Sequence, residues 1–216
     1  MPVTLGEEIM LLSLDDGSGR AEERQAAAWS VAGGTLLELV AAGRVVVEDE
    51  RLRVVDPSPT GVPLLDGRLE QIAAWTERKG NGKVAAWITK DRTTAVQATA
   101  KSLADRGLVR EEQRRVLGLF PVRRYPEADG SVERELRSRL AAVVLENARP
   151  DERTAGLVAL LHAANLHRIA FPDLPRKAVK ARMEEIAEGH WAGDSVRKAI
   201  RIMQSTVAVV TVTTAG

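Results

Sequence analysis

No cysteine occurs among the 216 residues. Disulfide frameworks and thiolate metal sites are therefore excluded, and with them the signature of oxidising compartments; the expected location is the cytoplasm. Aromatic residues make up only 3% of the chain, which leaves few stacking platforms for single-stranded nucleic acid. An excess of one charge is missing too. Lys and Arg number 31 against 30 Asp and Glu, for a formal net charge of +1, so attraction to phosphates has to come from a local patch and no nucleic-acid partner is expected. Long hydrophobic runs are absent: Val207 to Val212 is far too short to span a bilayer, and Met1 to Glu8 lacks the basic-then-apolar order of a signal peptide. Membrane contact would be peripheral, at the cytoplasmic face.

What the chain does contain is 44% hydrophobic and 28% charged residues, enough for a sizeable core in one domain covering 1–216. Its heavy use of Ala, Arg, Gly and Val resembles that of a high-GC bacterial coding sequence.

Thr4 with Glu7 three residues on is a capping box, opening a helix with Leu5, Ile9 and Leu12 at helical spacing. Asp15 to Gly19 is a turn. A second helix, about Ala21 to Ala42, is small or apolar nearly all round between Ala26 and Leu37, which marks a buried central helix ended by Gly43. Arg44 to Glu48 and Leu52 to Val55 form a hairpin around Asp49-Glu50. Leu64, Leu65, Leu69, Ile72 and Trp75 fit one helix; after a break at Asn81-Gly82 come Val84 to Ile88 and a separate helix, Thr93 to Arg106. A second hairpin pairs Val116 to Phe120 with a segment around Val122 to Tyr125, its Pro121 and Pro126 at edge or turn positions. Further helices run from Val132 to near Pro150, Thr154 to about Ile169, Lys177 to Glu188 and Ser195 to about Thr206. The expected fold is mainly α: a central helical bundle wrapped by amphipathic helices, with two short β-hairpins.

Catalytic chemistry finds no foothold. His162 and His167 lie five apart where two ligands on one helical face need three or four, so one core-facing and one surface histidine is the expectation. His190 has no Ser or Cys nucleophile motif beside it. Gly33-Gly34 lies inside an apolar helix, where missing side chains permit close packing, not in a phosphate loop. The carboxylates alternate with cations as on solvated helix faces. No metal, cofactor or catalytic residue is nominated, and a binding protein is expected, not an enzyme.

Basic groups stand out instead: Lys90 and Arg92, Arg114-Arg115 and Arg123-Arg124 about the second hairpin, and Arg176, Lys177, Lys180 and Arg182 on a late helix. Guanidinium forks of this kind match phosphate oxygens. Helix, glycine and hairpin follow one another twice, at Leu36 to Val47 and at Leu103 to Leu119, a plan shared with winged helices. A DNA-reading helix must expose polar and basic groups. Trp29 to Val40 offers almost none, whereas Thr93 to Arg106 has Gln97, Lys101, Asp105 and Arg106.

Thr4 to Leu14 (TLGEEIMLLSL), Gly34 to Glu48 (GTLLELVAAGRVVVE), Pro59 to Asp66 (PTGVPLLD), Ala100 to Val109 (AKSLADRGLV) and Leu157 to Ala170 (LVALLHAANLHRIA) follow one another as in the Golgi phosphoprotein 3 family. The chain resembles a bacterial-type member over nearly its whole length. The resemblance implies a non-enzymatic peripheral membrane adaptor that binds phosphatidylinositol 4-phosphate or other anionic lipid and engages cytoplasmic tails of membrane proteins. It also implies self-association through the second hairpin, here Val116, Leu117, Leu119 and Phe120. The family's head-group pocket uses a tryptophan after the first helix, an arginine before the glycine of the second, and two basic residues early in the helix before the second hairpin. Here those places hold Glu23, Ala32, Thr93 and Val96. Arg20, Arg24, Lys90 and Arg92 are the candidates for a rearranged patch, with Trp29 in the core. The alternatives are a protein-interaction module without lipid binding and a winged-helix-like DNA-binding protein.

Overall fold

The structure, a computed structural model, describes residues 3–14, 21–79, 82–110, 112–116, 120–124, 128, 130–188, 201–202 and 205. Within the helix and strand residues 21–24, 79, 112–116 and 120–124 only the backbone is described. Eight helices and two two-stranded antiparallel sheets account for the described elements, a mainly α fold.

Helix α1 (Leu5–Leu14) opens as its sequence dictates. The Glu7 carboxylate accepts from the Thr4 amide at 2.6 Å, and the Thr4 hydroxyl accepts from the Glu7 amide at 3.2 Å. Helix α2 (Ala21–Ala41) crosses α1 where Gly34 meets it: a Cβ on Gly34 would stand 3.2 Å from the Gly6 amide nitrogen and 3.2 Å from the Leu5 carbonyl carbon. That close approach is the role expected for the glycine pair. Trp29, Val31, Ala32, Leu36 and Leu39 of α2 are all buried, so this helix is the centre around which α1 and the later helices Val84–Asp105 and Glu152–Ala163 pack.

Strands β1 (Val45–Glu48) and β2 (Arg51–Val54) pair with Glu48 opposite Arg51. Asp49 and Glu50 both take left-handed conformations, φ 48° and 61°, the geometry of a two-residue turn matched to strand twist. The free edge of β2 is tied to the segment 82–84: the Leu52 amide donates to the Gly82 carbonyl at 3.0 Å, and the Val84 amide to the Glu50 carbonyl at 2.8 Å. Gly82 lies against the Trp75 ring, which any Cβ would overlap. Helix α3 (Pro63–Lys79) supplies that tryptophan.

Helix α4 (Val84–Asp105) is continuous, which corrects the expected break between Ile88 and Thr93. The polar stretch from Thr89 to Thr94 interrupts the apolar pattern, but its inward residue, Asp91, is neutralised by Arg68 of α3 and the helix runs on. The second hairpin is corrected as well: β3 (Glu112–Val116) and β4 (Phe120–Arg124) place Val116 opposite Phe120 instead of on the same strand. Backbone pairing takes in the polar residues 112–115, which carry no alternating apolar pattern. Leu117 and Leu119 lie outside the described residues.

Helix α5 (Ser131–Val144) stops short of Pro150. The expected helix from Thr154 to Ile169 is two, α6 (Glu152–Ala163) and α7 (His167–Ala170), separated by Asn165 at φ 58°, a conformation Asn tolerates better than most residues. Asp151 caps α6 by accepting from the Thr154 amide at 2.6 Å. Helix α8 (Arg176–Ala187) packs on α6. The turn at Asp15 to Gly19 and all of the helix expected at Ser195 to Thr206 except 201–202 and 205 lie outside the described residues.

Candidate functional site

Helix α4 turns Val84, Trp87, Ile88, Asp91 and Ala95 inward at three- and four-residue spacing, which leaves Lys90 and Arg92 on the two flanks of its buried stripe, either side of Asp91. Each has an aromatic face beneath it. The Lys90 Nζ lies 5.5 Å from the centroid of the Trp87 ring, and the Arg92 guanidinium carbon lies 4.9 Å from that of Trp29 on α2. Both tryptophans are buried, and Trp87 also packs against Trp75 with centroids 5.4 Å apart. Such cation–π contacts contribute about 0.5–1 kcal/mol at exposed sites. Here they also hold two long side chains in place. Lys90 is exposed and Arg92 half-buried, and neither forms an ion pair among the described residues.

The one acid between them faces away. Asp91 pairs with Arg68 at 2.8 Å, both side chains 3% exposed. Burial pushes the Asp91 carboxyl above its usual range, against the attraction of Arg68 and Lys90. The outer surface at 90–92 thus carries two cations and no carboxylate of its own.

Arg24 lies in the first turn of α2, about 7.5 Å along the helix axis from Trp29; its side chain, like all of Arg20, is not described. Of the positions that the family pocket uses, Ala32 is fully buried, Thr93 is exposed and Val96 is partly buried against the core. Glu23 is in α2, not in a loop. Trp29 is a core residue with a cation over its face.

The late basic helix divides. Arg182 is structural: its Nε donates to the Val143 carbonyl at 3.1 Å and its Nη2 to the Ala148 carbonyl at 3.3 Å, serving the C-terminal end of α5. Arg176 and Lys180 line an open depression of about 440 Å³ with His162, Asn165 and Glu184. His162 and His167 are both half-buried, a correction to one core and one surface histidine. Burial, then the nearby Arg176, holds the His167 pKa below its ordinary value; for His162 burial again dominates, with Glu184 opposing and Arg176 and Lys180 assisting. In the Thr93 to Arg106 stretch considered for DNA, Lys101 pairs with Asp105 at 2.6 Å and Arg106 with Glu7 at 2.9 Å.

Reasoning from sequence missed Arg68 and Asp91. Their signal was present: Leu65, Arg68, Ile72 and Trp75 on α3, and Val84, Trp87, Ile88, Asp91 and Ala95 on α4, put both charges on the apolar face of their helices. No helix among the described residues is long and apolar enough to cross a membrane.

Comparison with known proteins agrees with this architecture. The chain is 28% identical to Vacuolar protein sorting-associated protein 74 of Eremothecium gossypii over 66% of its own length and 49% of the relative's. It is 25% identical to the protein of the same name from Schizosaccharomyces pombe, over 85% of this chain and 66% of the relative. It therefore spans about half to two thirds of these relatives. The family model for Golgi phosphoprotein 3 (GPP34) matches residues 5–203, and the chain belongs to that family.

Proposed function

We propose that this protein is a non-enzymatic, peripheral membrane adaptor. Its surface around Lys90 and Arg92 of α4 binds anionic lipid head groups, of the phosphatidylinositol 4-phosphate kind or simpler, at the cytoplasmic side of a membrane. The observation that carries the proposal is the pair Lys90 and Arg92, held over tryptophan rings with no carboxylate partner while Asp91 is turned into the core. Arg20 and Arg24, whose side chains lie outside the described residues, are the further candidates for the patch. The name of the relatives, a vacuolar protein sorting-associated protein, favours sorting over chemistry. Cytoplasmic tails of membrane proteins are the client class. The β3–β4 hairpin, with Val116 and Phe120 paired near its tip and Leu117 and Leu119 between them, is the surface for self-association, and residues 1–216 act as one domain.

Each basic residue near an anionic leaflet contributes about 1 kcal/mol, so Lys90→Ala with Arg92→Ala removes about 2 kcal/mol, or about 30-fold in partitioning. Co-sedimentation with vesicles of phosphatidylinositol 4-phosphate, phosphatidylserine or neutral phosphatidylcholine measures it. The expected result is binding to anionic vesicles that salt weakens, that the double variant reduces, and that adding Arg20→Ala and Arg24→Ala reduces further. Binding that the four substitutions leave unchanged, or none to any anionic vesicle, would refute the proposal.

A further inference from the structure

The depression between the end of α6 and the first turns of α8 has a volume of about 440 Å³, within the about 300–1,000 Å³ of small-ligand sites. Among the described residues its lining comes from α6, the turn after it, α8 and Ser205, and none of it from α4. It is therefore separate from the surface around Lys90 and Arg92. The lining is polar throughout except for Ala163.

Its cations are unmatched. Lys and Arg number 31 against 30 Asp and Glu over the whole chain, yet between 165 and 180 Arg168, Arg176, Lys177 and Lys180 face a single acid, Asp173. All four cations are exposed, and none forms an ion pair among the described residues. Helix α8 instead pairs Arg182 with Glu185 at 2.7 Å. Glu184 lines the depression one turn beyond Lys180 and makes no ion pair with Lys180 or Arg176. Folding does not ask for this arrangement. Cations in a first turn are set against the helix dipole, and the first turn of α8 holds no acid to offset them. The neighbouring histidines feel the crowding. After burial, Arg176 is the next influence holding the His167 pKa down; at His162 burial again leads and Glu184 opposes, while Arg176 and Lys180 act with burial.

We propose that this depression binds the phosphomonoester of a polyol, its phosphate held between Arg176 and Lys180 and its hydroxyls by Glu184, Asn165 and Ser205. Arg176 and Lys180 stand one turn apart on one face of α8, about 6 Å along its axis, with their donors uncommitted. A guanidinium fork and an ammonium are the groups that grip phosphate oxygens. A bare anion would be repelled by Glu184, whereas hydroxyls donate to a carboxylate and turn it to use. The Asn165 amide, exposed at the left-handed turn after α6, and the Ser205 hydroxyl supply neutral donors and acceptors beside it. With Ala163 its one apolar lining residue among those described, the depression offers nothing to an alkyl chain or an aromatic ring. Such an ester is either a free sugar phosphate or the head group of a lipid, and the two share the chemistry that this lining recognises.

The test is calorimetric titration of the full chain with glucose 6-phosphate, with amide chemical shifts locating the site. Inorganic phosphate, which lacks the polyol, and glucose, which lacks the phosphate, are the comparison ligands. Saturable binding of glucose 6-phosphate with shifts at the end of α6 and the start of α8 is expected, with weaker binding of phosphate at the same place and none of glucose. Arg176→Gln with Lys180→Gln removes two exposed cations that no described residue pairs with, so the Tm should hold or rise while the affinity falls at least about tenfold. Glu184→Ala should narrow the preference for glucose 6-phosphate over phosphate. Lys90→Ala with Arg92→Ala should alter neither affinity, which keeps this site separate from the vesicle-binding surface. Co-sedimentation of the Arg176 and Lys180 double variant with phosphatidylinositol 4-phosphate vesicles distinguishes the sources: reduced binding assigns the ester to a lipid head group, and unchanged binding assigns it to a free sugar phosphate. Absence of saturable glucose 6-phosphate binding, an affinity that the double variant does not alter, glucose binding as tightly as its phosphate, or a preference that Glu184→Ala leaves intact would each overturn the proposal.

Discussion

Arg153, in the first turn of α6, is the residue whose loss should be felt furthest from where it sits. Its Nη2 donates to the Glu8 carboxylate at 3.0 Å, its Nη1 to Glu38, and its Nη2 also to the Val3 carbonyl, so one guanidinium fastens α6 to α1, α2 and the residue before them. Glu8 is 2% exposed and Glu38 13%. Removing one partner of a buried pair costs about 3–5 kcal/mol because the other charge is stranded. Two features place Arg153→Met at the low end, about 3 kcal/mol. Glu8 keeps Arg139 at 2.8 Å, and Glu38 can take up a proton, since burial already raises its pKa despite the attraction of Arg153. Burial works against the charge on Arg153 too, but Glu8 and Glu38 together outweigh it and hold the guanidinium more firmly protonated. The pH dependence follows. An acid whose native pKa lies above its unfolded value, here 4.5, leaves stability greatest below that value and loses it as pH rises through the native pKa. Deleting Arg153 raises Glu38 further, so the deficit of the variant should be smallest in acid and widen as pH rises through the parent's own Glu38 pKa, which lies above 4.5. Urea unfolding at several pH values measures this. A loss below about 1 kcal/mol at neutral pH with unchanged m, or a deficit that widens toward acid, would refute the reasoning.

Two further substitutions probe the frame. Asp151→Ala removes the cap of α6 and should cost about 1 kcal/mol at neutral pH. Burial opposes ionisation of Asp151, but the Thr154 amide and hydroxyl, with Arg139 and Arg153, bring its pKa below the ordinary 3.8; the stability it provides is present above that value and disappears as pH falls through the native pKa, so variant and parent should converge in acid urea titrations. Gly34→Val puts two methyls and a Cβ against the α1 backbone, only 3.2 Å away at its nearest, and overpacking of that kind should lower stability by about 1–3 kcal/mol in thermal melts.

The sequence declares its elements best where a local chemical rule decides them. Thr4 and Glu7 cap one another whatever else the chain does, and the apolar girth of α2 permits only a central position. It declares them least where a distant residue settles the matter. The stretch from Thr89 to Thr94 reads as a break because Asp91 lacks a partner within twenty residues; Arg68 on a neighbouring helix makes it helix. The stretch from Leu157 to Ile169 reads as one helix because Leu161 and Leu166 continue the apolar pattern across the left-handed Asn165. Lys90 and Arg92 were legible as cations, but not as cations on tryptophan faces, since the Trp29 contact of Arg92 joins α2 to α4 across the core.

Why those two cations matter is clearer from the other arginines. Burial of apolar surface is non-directional, and a helix as evenly apolar as α2 could be covered by its neighbours in several registers. Buried charge pairs are selective about register in a way that leucines are not. In this chain Glu7 is held by Arg106 and Ser102, Glu8 by Arg139 and Arg153, and Asp91 by Arg68, so that α1 is pinned to α4, α5 and α6, and α3 to α4. Arg137 and Arg182 bond backbone carbonyls at the C-terminal ends of α7 and α5. Arg68, Arg106, Arg137, Arg139, Arg153 and Arg182 thus serve the fold, and a count of basic residues on helices says little about binding. Lys90 and Arg92 differ because their heads are supported by rings and not matched by carboxylates. A cation that the fold positions but does not neutralise is available to an external anion, and Lys90 and Arg92 are two such cations on one turn of α4.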